Sequence, residues 1–372
     1  MSPQETFPGK LALQQRVLPA YRAPFFDELA RACEGGLHIF AGQPLPIEAL
    51  VAAEELEIAR FTSAHNRHLF HPRHPLYLCW QGGLVEWLKD SDPDALIVEA
   101  NPRYPATRQA IEWMHRRGRP VLGWGLGAPP IGGPFTLWHT HSRSRFLGSL
   151  DGLIAYSRRG AKEYRALGIL PSKRIFAAPN AVTPRPPSLS PSLSLSPPPL
   201  PSLLFVGRLQ TRKRVDNLLR ACAALPENLQ PQLVIVGDGP ARQKFQTLAK
   251  TVYPRAEFVG AKHGPELAPY FAAAGLFVLP GTGGLAVQQA MSHGLPVIVA
   301  QGDGTQDDLV RPGNGWQVPP GDLPSLKCAL EEALTNPARL REMGAESYRI
   351  VAEEINLETM AAVFVRAINH ST

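Results

Sequence analysis

The sequence predicts an α/β fold built of two domains, each a parallel sheet covered by helices. Three observations support this prediction. Short apolar runs alternate with segments of helical periodicity in both halves of the chain. Residues 184–202, almost entirely proline, serine and leucine, interrupt the alternation. Most apolar runs of the second half are followed closely by glycine, which suits the loops at the carboxyl ends of parallel strands.

The first half has weaker turn signals than the second, but its apolar runs still predict strands. The predicted strands are Leu11–Val17, Leu37–Phe40, Ala95–Glu99, Pro120–Trp124 and Gly152–Tyr156, and the predicted helices are Pro24–Cys33 and Thr107–Arg117. His65, His68, His71 and His74 form a spaced cluster that could bind a metal, although a polar loop is favoured. Together these elements predict an N-terminal domain over residues 1–183.

The interruption at residues 184–202 is predicted to be an interdomain linker, because repeated prolines remove backbone donors and hold the chain extended. A docking site for a proline-recognising partner is the minority alternative. The second domain is predicted over residues 203–352. Its strands are Leu203–Val206, Gln232–Val236, Ala256–Val259, Leu276–Leu279 and Val297–Ala300, and its helices are Val215–Ala224, Ala241–Ala249, Leu267–Ala274 and Leu285–Ser292.

Composition sets limits on the function. A chain of 372 residues with 44% hydrophobic and 19% charged residues is globular and long enough for two cores. The net charge of +6 admits an acidic partner, such as a nucleic acid, an anionic membrane or a phosphorylated substrate. Nucleic acid is the least favoured of these, because the basic residues are dispersed and lack an aromatic platform.

The four cysteines stand far apart, which argues against a zinc site and favours a reducing compartment. We therefore expect a cytoplasmic protein. No secretory signal or run of about 18 apolar residues is found, so no membrane span is expected. Peripheral contact with an anionic membrane remains open.

The most informative motif is the glycine-rich segment 280–299, which opens a predicted helix. Glycines 281, 283 and 284 let an anion approach backbone amides near the positive end of a helix. A tight turn is the alternative reading. Arg208 follows a glycine at a predicted strand end and Lys213 enters the next helix, so two cations suited to phosphate oxygens converge on the same face.

Two further turns follow predicted strands. Gly237, Asp238 and Gly239 form one of them, in which Asp238 could cap the following helix. Val259 and Gly260 end the next strand. Alone, each is only a turn.

Five separated motifs resemble the retaining glycosyltransferases of family 4 in type, order and distance. They are FVGRLQTRK, VGDGP, VG at 259–260, LPGTGGLAVQQAMSHGLPVIVA and PGNGW, and they lie within roughly residues 150–350. The resemblance implies the GT-B fold, in which two Rossmann-like domains face each other across a cleft. It also implies that residues 353–372 form a last helix that can cross back to the first domain.

The resemblance implies transfer of a sugar from a nucleoside diphosphate sugar to an acceptor hydroxyl, in cell-surface glycan biosynthesis. The acceptor would be a glycan, a lipid-linked sugar or a small molecule. A non-catalytic sugar-nucleotide or glycan-binding protein of the same fold is the alternative, and a sugar-nucleotide epimerase is a second. The sugar, the base and the acceptor are not specified by the sequence.

Arg208 and Lys213 match the family's cations that neutralise the departing diphosphate, so neither a metal nor another cofactor is expected. The resemblance assigns donor contacts to the strand-end turns and to the glycine-rich loop. The assigned residues are Gly207, Gly237, Asp238, Gly239, Val259, Gly260, Gly281, Thr282, Gly283, Gly284, Leu285 and Gln289.

The chain departs from the family at the two glutamates of the glycine-rich motif, which fall on Gly281 and Gln289. Gln289 keeps a hydrogen-bond acceptor for the ribose, whereas Gly281 offers only backbone. Either loop amides with a side chain such as Thr282 or Asp303 recognise the sugar, or catalysis is lost. We favour activity, because Arg208, Lys213 and the glycine loop are all present.

The first half carries a looser match to the acceptor domain of such enzymes. Its candidate acceptor or sugar contacts are Tyr21, Arg22, Asn101, Arg103, Trp124, His139 and His141. The two histidines are the nearest substitutes for one that many relatives place near the sugar; alone they are weak evidence for a metal. For the aromatic residues after Pro24, packing in the core is an equally weighted alternative.

Overall fold

The computed structural model describes residues 5–48, 50–72, 74–132, 136–187, 201–302 and 304–371. Its contacts divide the chain into two units. The first unit comprises Met1–Val182 and Leu357–Thr372, and the second comprises Thr183–Asn356. Most of the predicted linker, residues 188–200, and the candidate Asp303 lie outside the described residues.

The first unit is built on an eight-stranded sheet of order β4-β3-β2-β1-β5-β6-β7-β8. All neighbouring strands are parallel except β3 and β4. The strands are β1 Leu11–Val17, β2 Leu37–Gly42, β3 Arg60–Leu69, β4 Leu78–Gly82, β5 Ala95–Glu99, β6 Val121–Gly125, β7 Gly152–Ala155 and β8 Ile175–Ala177. The five predicted strands of this half are therefore confirmed.

Six α-helices accompany this sheet in the described residues. They are α1 Ala23–Arg31, α2 Leu84–Ser91, α3 Ala106–His115, α4 Thr136–Leu147, α5 Arg158–Ala166 and the last helix of the chain, α13 Leu357–Asn369. Helix α13 packs on α1, where the ring of Phe364 lies 5.0 Å from those of Phe25 and Trp124. Phe25 and Phe26 are fully buried, which confirms the packing interpretation of the aromatic residues after Pro24.

The prediction of a polar loop at the histidine cluster is wrong for two of its members. His65 and His68 lie on β3, which pairs in parallel with β2 and in antiparallel fashion with β4. Most side chains of β3 are exposed, so it lacks an apolar run. Because backbone pairing alone places this strand, hydrophobic periodicity did not reveal it.

The second unit is built on six parallel strands of order β11-β10-β9-β12-β13-β14. They are β9 Leu203–Val206, β10 Leu233–Val236, β11 Ala256–Gly260, β12 Leu276–Leu279, β13 Val297–Ala300 and β14 Gly315–Val318. The helices are α6 Val215–Ala223, α7 Arg242–Val252, α8 Ala268–Ala273, α9 Ala286–Ser292, α10 Thr305–Leu309, α11 Leu323–Thr335 and α12 Pro337–Arg349. All five predicted strands are present within one residue of their predicted bounds, whereas β14 and α10 to α12 were not predicted.

Both sheets reverse their strand order beside the first strand of the unit. In the second unit β9 lies between β10 and β12, and in the first unit β1 lies between β2 and β5. Loops that leave such a reversal diverge and open a crevice at the carboxyl ends of the strands, where ligands of doubly wound sheets bind. Ligand sites are thus expected at the segments after β9 and β12 in the second unit, and at those after β1 and β5 in the first.

Candidate functional site

The loop after β9 carries the two predicted cations. The amide of Gly207 donates to the carbonyl of Val236 (3.0 Å) and that of Leu209 donates to the carbonyl of Asp238 (2.8 Å). These bonds fix the backbone on both sides of Arg208, whose side chain is exposed. Arg208 therefore lies at the carboxyl edge of the second sheet, as predicted from the glycine before it.

Lys213 ends a short 3-10 turn, Thr211–Lys213, and its side chain is only 6% exposed. Its Nζ donates to the carbonyl oxygens of Thr282 (3.0 Å) and Gly283. Burial, and secondarily the charge of Arg212, lower the pKa of Lys213 to about 8. A buried ammonium with carbonyl partners and a cationic neighbour is an environment that an added anion would stabilise.

The glycine-rich loop after β12 packs directly on that turn. The amide of Thr282 donates to the carbonyl of Arg212 (3.3 Å). A Cβ atom at position 281 would overlap the carbonyl oxygen of Arg212 and lie 2.5 Å from the Cα of Lys213. Gly281 thus permits a backbone approach that any side chain would prevent, which explains why no acidic residue stands there.

The turn after β10 has the same kind of close backbone packing. A Cβ at Gly237 would overlap the carbonyl of Gly207, and one at Gly239 would lie 2.5 Å from the carbonyl oxygen of Leu209. The amide of Gly237 also donates to the carbonyl of Gly260 at the end of β11 (2.7 Å). The glycines predicted as donor contacts therefore first serve to bring the ends of β9, β10 and β11 together.

Asp238 does not cap the following helix, contrary to the prediction. Helix α7 begins one residue after Ala241, without a side-chain cap. The Asp238 carboxylate accepts hydrogen bonds from the Gly239 amide (2.7 Å) and the Arg242 guanidinium (3.0 Å), and the Gly239 bond is the main cause of its lowered pKa. Because it is exposed at the loop edge, the carboxylate remains accessible to a ligand.

Helix α9 follows the glycine-rich loop and carries two adjacent glutamines with different surroundings. Gln289, the predicted ribose contact, is half-buried. Gln288 is fully buried; it accepts from the amide of Thr183 (3.3 Å) and donates to the carbonyl of Ile355 (2.5 Å). Sequence reasoning missed the role of Gln288, because a glutamine in an amphipathic segment ordinarily faces water.

In the first unit the turn after β1 holds Arg22 in a cage of aromatic rings. Its guanidinium carbon lies 4.8 Å from the ring centre of Trp124, 5.2 Å from that of Tyr156 and 5.6 Å from that of Tyr21. Tyr21 is 39% exposed, whereas Trp124 is 1% exposed and walls the cage from within. The structure thus brings Tyr21, Arg22 and Trp124 together, and adds Tyr156, which was not predicted.

A second unpredicted group lies at the end of β5. The Glu99 carboxylate accepts from the amide of Arg16 (2.6 Å), and the Glu99 amide donates to the side chain of Gln14 (3.2 Å). Burial raises the pKa of Glu99, against the opposing effects of Arg16, Tyr104 and Arg22. The sequence signal was an acidic residue at the end of an apolar run, which by itself does not reveal that the strand lies at the reversal of the sheet.

The other predicted residues of the first unit are more dispersed. Asn101 accepts from the amide of Arg103 (3.1 Å) in the loop after β5, and the Arg103 side chain is exposed. His139 and His141 lie on α4, where His139 makes an edge contact with Trp138. Among the residues that the structure describes, no hydrogen bond or ring contact joins either histidine to the Arg22 cage.

Among the described residues, no group of at least three histidine, cysteine, aspartate or glutamate side chains is arranged to share a metal ion. No helix in that part of the chain has the length and apolar character needed to cross a membrane.

Comparison with known sequences finds a match over the second unit. Residues 200–336 match the family model described as glycosyl transferases group 1. A GDP-mannose-dependent alpha-mannosyltransferase of Mycolicibacterium smegmatis is 39% identical over 160 residues, which cover 42% of this chain and 40% of that protein. Its namesake from Corynebacterium glutamicum is 34% identical over 169 residues, covering 45% and 38%. The matches thus span about two fifths of these relatives.

Solved structures match nearly the whole chain. HepE of Anabaena, in complex with UDP, has a TM-score of 0.70 at 14% identity, and the match covers 97% of this chain and 99% of that one. Sucrose-phosphate synthase from Thermosynechococcus elongatus has a TM-score of 0.66 at 21% identity, with 97% and 98% covered. Residues 200–336 are therefore similar in sequence to group 1 glycosyl transferases, and the chain has the GT-B fold of Rossmann-like domains.

Proposed function

We propose that the protein is a retaining glycosyltransferase of family 4, which moves a sugar from a nucleoside diphosphate sugar to an acceptor hydroxyl in cell-surface glycan biosynthesis. The observation that carries the proposal is the burial of the Lys213 ammonium without a carboxylate partner among the described residues. This ammonium lies between the loops that leave β9 and β12, at the reversal of the second sheet. A diphosphate would supply the missing negative charge.

The proposed chemistry requires charge compensation where the diphosphate departs. An ammonium has three protons, and the carbonyls of Thr282 and Gly283 use two of them, which leaves one for a phosphate oxygen. Arg208, exposed on the same edge, adds a planar fork for a second oxygen. Two cations fixed before the reaction stabilise the leaving group without a metal ion.

The loop at positions 281–284 is proposed to meet the donor through its backbone. Gly281 has no room for a carboxylate, so sugar recognition falls to the loop amides and to the exposed side chain of Thr282. Gln289 is proposed to bond the ribose without contributing a charge. The proposed enzyme thus differs from the family pattern in having no acidic contact to the transferred sugar.

GDP-mannose is the first donor to test. The relatives named GDP-mannose-dependent are 39% and 34% identical over 160 and 169 residues of this chain. The structure in complex with UDP is 14% identical, and that level of identity supports the fold alone. UDP-glucose is therefore the second donor in the comparison.

Peripheral contact of the first unit with an anionic membrane is part of the proposal, since many glycan acceptors are lipid-linked. Helix α4 exposes Leu137 (87%) and Trp138 (60%) and carries Arg143 and Arg145. Exposed apolar side chains beside basic ones favour an anionic interface. The protein should co-sediment with vesicles that contain anionic lipid. A variant in which both apolar side chains are replaced should stay in the supernatant.

Calorimetric titration with GDP, GDP-mannose, UDP and UDP-glucose tests the donor site. Arg208→Ala and Lys213→Ala should each weaken binding of the preferred nucleotide by about 1–3 kcal/mol, the range for a hydrogen bond to a charged group. Arg255→Ala is the matched control, because Arg255 is exposed, lies ahead of β11 at the amino ends of the strands, and donates to the carbonyl of Gln230. Turnover should persist in EDTA.

Binding without transfer to any acceptor of a glycan panel would contradict the enzyme and leave a sugar-nucleotide-binding protein. Wild-type affinity in both cation variants would contradict the diphosphate site. Where transfer is found, the anomeric configuration of the product, read by NMR coupling constants, tests retention.

A further inference from the structure

Arg22 occupies, in the first sheet, the position that the donor cations occupy in the second. It follows β1, the strand beside which the order of the first sheet reverses. Tyr156 follows β7, and Trp124 lies on β6, so the cage is assembled from the carboxyl ends of three strands. This edge is where an α/β sheet ordinarily receives a ligand.

The charge of Arg22 is buried and incompletely satisfied. The residue is 7% exposed, and its Nη1 is buried without a hydrogen-bond partner. No ion pair joins its guanidinium to a carboxylate within the described residues. Glu99, the nearby acid, accepts from the amide of Arg16, and burial opposes its ionisation. Aromatic rings offset only part of the cost of burying such a charge.

Another arginine of the first unit, Arg117, also packs on a tryptophan but has different surroundings. Arg117 lies 3.8 Å from the ring centre of Trp113 and donates to that residue's carbonyl (3.3 Å). It is exposed and precedes β6, so it lies at the amino ends of the strands. Water solvates its charge, whereas the cage around Arg22 excludes water from Nη1. The orphaned donor therefore distinguishes Arg22 from an ordinary cation–π pair.

We propose that Arg22 anchors an oxyanion subsite in the first unit, and that the acceptor carries a carboxylate or phosphate group that this guanidinium binds. A planar guanidinium fork fits either group, and the anion supplies both the missing acceptor for Nη1 and the missing charge. Tyr21 is the exposed wall of the cage, so the ligand enters on its side. Identification of the bound ligand as the acceptor rests on the proposed function, whereas the anion-binding subsite does not depend on it.

The test measures binding of inorganic phosphate, glucose 6-phosphate, glucuronate and glucose to the full chain by ligand-observed NMR. The two sugar anions should bind at least tenfold more tightly than glucose, and more tightly than free phosphate. Arg22→Met should abolish this preference, Arg22→Lys should restore it in part through charge alone, and Arg117→Met should leave it unchanged.

Thermal unfolding separates a binding role from a structural one. Without ligand, Arg22→Met should melt at the wild-type temperature or above it, because it removes an unpaired buried charge. Glucose 6-phosphate should raise the melting temperature of the wild type but not of Arg22→Met. A lower melting temperature of Arg22→Met with the anion preference intact would overturn the proposal.

Three further outcomes are decisive. Equal binding of glucose and the anionic sugars by the wild type overturns the subsite. Loss of nucleoside diphosphate affinity in Arg22→Met, with sugar-anion binding intact, assigns Arg22 to the donor and overturns the acceptor assignment. An Arg22-dependent anion preference in a protein that binds no nucleotide supports the subsite while the proposed transfer reaction fails.

Discussion

At the scale of single residues, Gly281 limits which side chains the glycine-rich loop can contain. A Cβ at this position would meet the backbone of Arg212 and Lys213, which cannot move aside as a flexible side chain could. Gly281→Glu would introduce the acid typical of family 4, yet we expect it to destabilise the protein by about 1–3 kcal/mol through overpacking. It should also weaken nucleotide binding, because the displaced loop carries the carbonyl partners of Lys213.

The control for that substitution is Gly313→Ala. A Cβ at Gly313 meets only the Cγ of Glu346 at 3.6 Å, an ordinary contact distance. Chemical unfolding and nucleotide titration should both find this variant close to the wild type. Wild-type stability together with increased turnover in Gly281→Glu would show that the loop has room for the acid.

Lys213 should make nucleotide binding depend on pH near neutrality. Its pKa is lowered to about 8 by burial and by Arg212, and a bound diphosphate raises the pKa again. Binding above pH 8 must therefore take up a proton, so affinity falls as the pH rises through 8. Calorimetry in buffers of different ionisation enthalpy measures that uptake. Lys213→Arg should remove this dependence, because arginine stays charged.

The unliganded protein should show the opposite pH trend in stability. Between pH 8 and the usual lysine pKa, the unfolded chain binds the Lys213 proton more tightly than the folded chain does. The contribution of Lys213 to the free energy of unfolding therefore rises with pH over that window. If the difference in free energy of unfolding between the wild type and Lys213→Met did not change with pH, the lowered pKa of Lys213 would be contradicted.

Sequence reasoning found the cations of the second unit, and Tyr21 and Trp124 beside Arg22, but missed Tyr156 and Glu99. Arg208 and Lys213 follow an apolar strand and a glycine, so their place at the sheet edge could be predicted. Glu99 and Tyr156 also end apolar strands, but the strand order that brings them to the same edge as Arg22 is not written in local sequence. Recognising them requires knowing which strand is adjacent to which.

At the scale of elements, α9 is held in place by the buried amide of Gln288. That side chain is bonded to Thr183 and Ile355, near the two points where the chain enters and leaves the second unit. Gln288→Leu should lower the free energy of unfolding of this unit by about 1–3 kcal/mol, since the buried carbonyl of Ile355 and the half-buried amide of Thr183 lose their partner. Urea unfolding followed by tryptophan fluorescence, with Trp316 as the probe in this unit, measures the loss.

Gln289→Leu provides the comparison on the same helix. Gln289 is half-buried, so its replacement should change stability by less than about 0.5 kcal/mol. It should weaken nucleotide binding instead, if the proposed ribose contact is right. Equal destabilisation by the two substitutions would contradict the assignment of the structural role to Gln288.

Elements with strong apolar runs could be predicted, and those without could not. The buried strands β9, β10, β12 and β13 were recovered because parallel strands covered on both faces are nearly continuous in apolar residues. Strand β3 was missed because its exposed residues alternate without an apolar face. Strand β14 begins at Gly315 and includes two half-buried residues, so its apolar signal was too short.

At the scale of the whole molecule, the division of the chain into two compact units predicts separable effects of core substitutions. Phe364 of α13 is fully buried against Phe25 and Trp124 in the first unit, and Phe245 of α7 is fully buried in the second. Replacement of either phenylalanine by alanine should cost about 3–5 kcal/mol. Hydrogen exchange should show lost protection in the first unit for Phe364→Ala and in the second for Phe245→Ala.

If either substitution lowered hydrogen-exchange protection in both units, the prediction of separable effects would be contradicted. A nucleoside diphosphate should restore protection in Phe245→Ala, because the proposed donor site belongs to the second unit and ligand binding stabilises the folded form. The same ligand should leave the first unit of Phe364→Ala unprotected.

The placement of α13 has a consequence for biosynthesis. Residues 1–182 emerge from the ribosome first. The surface of α1 that packs against Phe364 is not covered by α13 until that helix has also emerged. The whole of the second unit is translated in that interval. The unit that comes second along the chain can therefore finish folding first, while the earlier one keeps an apolar surface open on the nascent protein and is a natural client for chaperones until α13 has been translated.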